Sequence, residues 1–456
     1  MSIDIWGATP KPPRREQTIL ASLRSSGPLG VRTQIAVPVT ADPVQLVARL
    51  ARSGLFTDYV AYERPGSWRF AGGALGEVTL DAETVRLRWA ERPESAMPWS
   101  GDPARALGDA LAGVPASGWT AYGWIAFEFA GTPYTGRLAH LIVPRTEVRI
   151  EEGTAYLTGE EPDELNAVAK LLSEDLPPES PVPSPVDVRT GGEAYRENVA
   201  RAVAEIEAGE YQKVIVSRRL PVPFPVDVIG TYLAGRAANT PARSFLLDVD
   251  GFRSTGFSPE VVAAVDENGV VTTQPLAGTR AFGLGSDTDS AHRRELQNDP
   301  KEIFEHAVSV RTSQEELYGV CEPGTVHVTD FMNIKERGSV QHLASRVTGR
   351  LAAGRTSWDA LRALFPGVTA SGIPKREAMD AIARMEEPRG LYAGAVLTVS
   401  DDGSLDAALV LRALYSQNGQ SWLRAGAGVV SGSTPEREYE ETCEKLSCIA
   451  PHVVGQ

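Results

Sequence analysis

Between Val143 and Ile150 two sets of residues alternate, Val143, Arg145, Glu147 and Arg149 against Pro144, Thr146, Val148 and Ile150, with the period of two that a half-buried strand requires. The rest of the chain up to about Glu174 consists of short apolar runs, such as Trp119 to Phe129, punctuated by Gly and Pro. This predicts antiparallel sheet with a few helices. Further on, Tyr195, Val199, Ala202, Val203 and Ile206 recur at helical spacing, and Gly209 stands where a capping glycine would end the helix. β-Branched residues predict a strand from Gln212 to Val222, with others at Ser244 to Val249, Val261 to Val265, Val270 to Thr273, Gly394 to Ser400 and Ala407 to Tyr415. Helices are predicted at Lys301 to Tyr318, Ser357 to Phe365, Lys375 to Met385 and Glu436 to Ile449. Strands fall in neighbouring pairs rather than alternating with every helix, which favours a large antiparallel α+β fold over a doubly wound one. Pro177, Pro178, Pro181, Pro183 and Pro185 form a stiff, extended connector. With 456 residues in the chain, it marks a boundary near residue 190 between two candidate domains.

Composition narrows the class of protein. Hydrophobic residues at 42% and charged residues at 23% describe a globular chain. A net charge of −14 argues against a nucleic acid or an anionic membrane as partner, because phosphate binding needs clustered Lys and Arg. Cys321, Cys443 and Cys448 are few and odd in number, which predicts a reducing compartment without a disulfide framework. No HxxxH or HExxH pattern suggests zinc. The stretch from Met1 to Arg15 has no apolar signal core, and no apolar run is long enough to span a membrane. A cytoplasmic protein is expected.

Candidate chemistry concentrates near the C-terminus. Arg424, Ala425, Gly426, Ala427 and Gly428 read as a glycine-rich turn, whose amides would form an anion nest. Glu438, Glu441 and Lys445 follow at helical spacing and share a face, where two carboxylates would suit a hard cation such as Mg2+. Such charges are also routine on a solvated helix. A second acidic pair, Glu302 and Glu305, follows Asn298-Asp299-Pro300, a helix-start signal. Capping and the helix dipole account for an acid at Glu302 but not at Glu305. Lys213 shares a strand face with Ile215 and Ser217. Its amine would either snorkel to the surface or serve as a general base in a cavity. Glu260 enters a strand after Pro259, where it would act as an acid or cap a sheet end. Pro275 to Arg280 reads as a turn offering the Gly278 amide and the Thr279 hydroxyl.

In order along the chain, KVIVSR (213–218), GFSPE (256–260), PLAGTR (275–280), NDPKEIFEH (298–306), GSVQHLAS (338–345), FPGVTASGIPK (365–375), RGLYAG (389–394), LRALY (411–415) and RAGAGVVSGSTPEREYEETCEK (424–445) resemble the chorismate-utilising enzymes. The resemblance spans roughly Tyr195 to Val454. It implies an anthranilate synthase component I-like fold: a single large α+β domain of two packed antiparallel sheets surrounded by helices. Residues 1–190 would then be its N-terminal part and 191–456 its chorismate-binding catalytic region. Relatives that add water at C2 carry lysine at the position of Lys213, whereas ammonia-using relatives carry glutamine and need a glutaminase partner, which is therefore not implied here. Aminodeoxychorismate synthases carry a lysine nucleophile where this chain has Ala277. Whole segments look most similar to the siderophore-type salicylate synthases.

By that resemblance Lys213 would activate water and Glu260 would protonate the departing C4 hydroxyl. Glu305 and Glu441 would hold Mg2+ with Glu438 close by. Gly278, Thr279, Tyr392, Arg412, Gly426, Ala427, Gly428 and Lys445 would line the substrate, with His342 and Thr369 as second contacts near the ring. Elimination of pyruvate would follow in the same site, and an isochorismate synthase that stops one step earlier is the alternative. A single chain acting as a monomer is expected.

Overall fold

The computed structural model describes residues 32–456 apart from residue 91; the Met1 to Arg15 segment lies outside them. Twenty-one strands join one continuous network, and every strand pairing among the described residues is antiparallel. Two long strands, Ser67–Leu80 and Ala139–Glu151, pair along their length and belong to two wings at once. Ser67–Leu80 pairs with Tyr59–Arg64, from which the first wing runs through Arg243–Val249, Phe252–Ser258, Ala413–Gln417 and Gln420–Val429 to Lys213–Val222. Ala139–Glu151 pairs with Thr120–Ile125, from which the second wing runs through Ala395–Ser400, Leu405–Leu409, Val261–Val265 and Val270–Thr273 to Val340–Arg350. Leu276–Ala281 and His327–Arg337 flank that last strand.

The wings close over a shared core that takes Tyr62, Phe245 and Tyr415 from the first and Tyr122, Val262 and Leu397 from the second. A second core lies between the first wing and the helices Pro43–Arg52, Pro162–Ser173 and Val228–Ala238. It explains the alternation from Val143 onward: Thr146, Val148 and Ile150 are buried, while Arg145, Glu147 and Arg149 remain half-exposed. The predicted helices appear as Pro300–Tyr318, Ser357–Leu364, Lys375–Met385 and Pro435–Leu446. Asp299 caps the first of these with its carboxylate, and Thr434 caps the last with its hydroxyl. Among the described residues no helix is long and apolar enough to cross a membrane. Cys321, Cys443 and Cys448 are buried and free.

Three local expectations change. The run from Ala407 to Tyr415 is not one strand but two, Leu405–Leu409 in the second wing and Ala413–Gln417 in the first. The chain crosses between wings at Val410 to Arg412, where Arg412 takes a φ of +52°, a left-handed conformation that is costly for a residue with a Cβ. The glycine-rich segment 424–428 is not a turn. It belongs to the strand Gln420–Val429 and pairs with Lys213–Val222. Glycine is needed there for close packing, since a Cβ on Gly426 would come within 2.7 Å of the Val216 carbonyl and 2.9 Å of the Tyr392 hydroxyl. Pro275 to Arg280 likewise contributes a strand, Leu276–Ala281, whose register slips between Ala277 and Thr279 around the positive-φ Gly278.

Candidate active site

One cavity gathers most of the residues singled out above. Its walls carry Lys213, Glu260, Gly278, Thr279, Glu305, His342, Thr369, Tyr392, Arg412, Gly426, Gly428, Glu441 and Lys445. These come from the end of the first wing, the far end of the second, the crossing at Arg412, the helices Pro300–Tyr318 and Pro435–Leu446, and the loops that carry Thr369 and Tyr392. Ala427 and Glu438 do not line the cavity. Strand alternation points the Ala427 side chain away from its neighbours on either side, and Ala427 is fully buried. Glu438 lies one helical turn before Glu441 and is also buried. Lys301, Arg437 and Glu444 line the cavity as well. Sequence reasoning passed over them because charged residues on exposed helix turns carry no distinguishing pattern.

Glu260 is 4% exposed. One carboxylate oxygen accepts the Leu276 amide at 2.8 Å and the other accepts the Thr369 hydroxyl. Burial pushes its carboxyl up to about 7, against the pull of those two hydrogen bonds and of Arg412 and Lys445. A carboxylic acid that exchanges its proton near neutral pH is suited to general-acid work. The same burial links protonation to stability. Below about pH 4.5 Glu260 is protonated in both folded and unfolded chains; between there and about 7 only the unfolded chain ionises, so the contribution is lost as pH rises through 7. The cost is of order 3 kcal/mol. Glu260→Gln should therefore raise the melting temperature relative to the parent more at pH 8 than at pH 5, and equal shifts at both would contradict this account.

Across the cavity, Arg412 donates from one guanidinium nitrogen to His342 Nε2 at 2.6 Å and from the other to the Arg337 carbonyl at 3.1 Å. His342 Nδ1 lies 3.1 Å from both the Gly278 carbonyl and the Thr279 hydroxyl. Burial and then Arg412 hold the imidazole well below its usual range. It is therefore neutral, with Nε2 free to accept from Arg412 and Nδ1 protonated toward Gly278. The bulge at Gly278 thereby sets the aim of Arg412 through His342. Lys445 donates to the Gly426 carbonyl at 2.9 Å, so Gly426 turns its peptide groups away from the paired strand, as Gly428 does two residues on. The amides that sequence assigned to a turn thus line an open strand edge.

The acidic groups suit a hard cation by chemistry. Glu305 and Glu441 face the same space, and repulsion from both adds to the burial that raises Glu302. Burial, then Glu441, raises Glu438. Each nevertheless has a partner of its own or a separate place: Glu305 pairs with Lys213 at 2.7 Å, Glu441 with Lys445 at 2.8 Å and Glu302 with Arg280 at 2.9 Å. Burial pushes Glu441 up, but Lys445 pulls it further down, to below the ordinary range. Among the described residues no three acidic, His or Cys side chains converge closely enough to hold a metal. The donors are of the type that suits Mg2+, and in this structure Glu305 and Glu441 are each paired with a lysine.

Residues 59–451 match the model of the chorismate binding enzyme family. The chain is 48% identical over 436 residues to the salicylate synthase of Mycolicibacterium paratuberculosis, covering 92% of this chain and 96% of that one. It is 37% identical over 254 residues to anthranilate synthase component 1 of Pseudomonas aeruginosa, covering 56% of this chain and 51% of that one. Anthranilate synthase component I from Streptococcus pneumoniae superposes with a TM-score of 0.72 at 24% identity, covering 86% of this chain and 92% of the other, a likeness of fold. Together with a single domain built from two interleaved wings, these matches place the chain among the chorismate binding enzymes.

Proposed function

We propose that this protein is a salicylate synthase, converting chorismate to isochorismate and then to salicylate and pyruvate. The observation that carries the reading is a single cavity holding Lys213 and the buried carboxyl of Glu260 together with Arg412 and Lys445. The 48% identity to a salicylate synthase over nearly the whole chain supports it. In this reading Lys213 takes a proton from the water that attacks C2, and Glu260 protonates the hydroxyl leaving from C4. Arg412, aimed by His342, receives the enolpyruvyl carboxylate, with the Gly426 and Gly428 amides beside it. The Tyr392 ring closes that wall. Mg2+, when bound, would supply positive charge for the ring carboxylate, and Glu305 and Glu441 would hold it with Glu438 behind. Pyruvate elimination needs no residue as a base, because the enolpyruvyl methylene, folded over the ring, takes the hydrogen from ring C2 as the ether bond to the ring breaks.

Water as nucleophile removes any need for a glutaminase subunit, and Ala277 excludes a lysine nucleophile at that position. Three buried cysteines without a disulfide suit the reducing cytoplasm, and the enzyme is proposed to work there as a single chain. Incubation with chorismate and Mg2+ should yield salicylate and pyruvate in equal amounts. Accumulation of isochorismate without pyruvate would overturn the second step, and failure of turnover to depend on metal would remove Mg2+ from the scheme.

A further inference from the structure

Behind Glu260, on the side away from the catalytic cavity, lies a separate small pocket. Its walls include Glu260 and Thr369, Ser313 and Glu316 from the helix Pro300–Tyr318, Gln274, and Gly367. Its volume of about 20 Å³ is room for roughly one water. The lining is polar enough to hold that water, and Gln274, Glu316 and Gly367 are each partly exposed, so the pocket reaches the surface. At its outer wall Glu316 pairs with Lys375 at 2.5 Å. A Cβ built on Gly367 would lie 3.9 Å from Glu260 Oε1 and 3.5 Å from the Thr369 hydroxyl. Gly367 therefore leaves open the space next to the acid's own oxygen.

We infer that this rear pocket returns a proton to Glu260 between turnovers, through one water and with Glu316 at the solvent end. The inference rests on the reading of Glu260 as the acid in chorismate hydration. In each hydration one proton passes from the attacking water to Lys213, and one passes from Glu260 to the hydroxyl that departs as water. Before the next turnover Glu260 must gain a proton and Lys213 must lose one, with no net change in protons. The rear water reaches Glu260 whether or not the front is occupied by substrate or product: its O–H proton moves to the carboxylate and is replaced from the Glu316 side. Gly367, Ser313 and Glu316 are positioning residues in this scheme, since none touches the substrate.

The test mixes the full chain with Mg2+ and excess chorismate by rapid quench, for the parent, Gly367→Ala and Glu316→Gln. Gly367→Ala fills the pocket at ordinary contact distances and without a left-handed backbone. It should keep its first turnover within about twofold of the parent, while steady-state turnover slows by about tenfold or more and becomes more sensitive to D2O. Glu316→Gln should show the same split with a smaller loss. An equal fall in first and later turnovers would mean a structural role and overturn the relay. Unchanged steady-state rates in both folded variants would overturn it as well. Absence of salicylate and pyruvate from the parent itself would defeat the functional reading, and the relay with it.

Discussion

Glu260→Gln should lower turnover of chorismate by about 10²–10⁴-fold, the range expected when a positioned general acid is removed. The amide keeps the shape of the carboxyl and accepts one of the two hydrogen bonds from Leu276 and Thr369, so the loss should appear in kcat with little change in KM. The pH profile follows from the sign of the Glu260 displacement. Burial keeps it protonated up to about 7, and the proton is what the reaction consumes. The parent's rate with chorismate should therefore fall as pH rises through 7, whereas the residual rate of the variant should be flat across that range. A parent profile without an alkaline limb near 7, or a variant that retains full activity, would remove Glu260 from the role of acid.

Lys213→Ala is the second large effect. Hydration at C2 should fall by about 10²–10⁴-fold, since no other amine in the cavity is placed on that strand. Isochorismate supplied directly should still release pyruvate, because the second step uses no base. Following pyruvate from each substrate separates the two reactions in one protein. Loss of both activities to the same extent would show that Lys213 also holds the substrate. Its 2.7 Å pairing with Glu305 gives a reason to measure both, because alanine leaves that carboxylate without its cation.

Much of this could be read from the residues. Glu305 stood out because it lies past the first helical turn, where capping no longer accounts for an acid, and it does face Glu441 across the cavity. The period-two alternation from Val143 onward and the helix starts at Asp299 and Thr434 were also local signals with local causes. What escaped depended on distant partners. The apolar run from Ala407 to Tyr415 carries no mark of the crossing between wings, since both of its halves are buried. The glycines at 426 and 428 look the same in sequence whether they open a turn or make room for Tyr392 and Lys213. His342 was placed near the ring by resemblance, but its work of aiming Arg412 is visible only once Gly278, His342 and Arg412 lie side by side. Lys445 meets Glu441 at the helical spacing already visible in the chain, but Lys213 reaches Glu305 from a strand 92 residues away, which no spacing rule connects.

Each wing pairs strands from before the proline-rich connector with strands from after it, which bears on how the chain comes to be folded. Ser244 meets Glu63 across 181 residues, and Ala395–Ser400 finds its partner at Thr120–Ile125. Such long loops must close before either pairing gives anything back, so folding should be slow and all-or-none across the halves. A fragment beginning after the proline-rich connector would contain every residue that lines the cavity and yet present two bare strand edges, at Arg243–Val249 and Ala395–Ser400. Unpaired edges recruit other chains, so truncation to the apparent catalytic half should yield aggregates instead of a smaller enzyme.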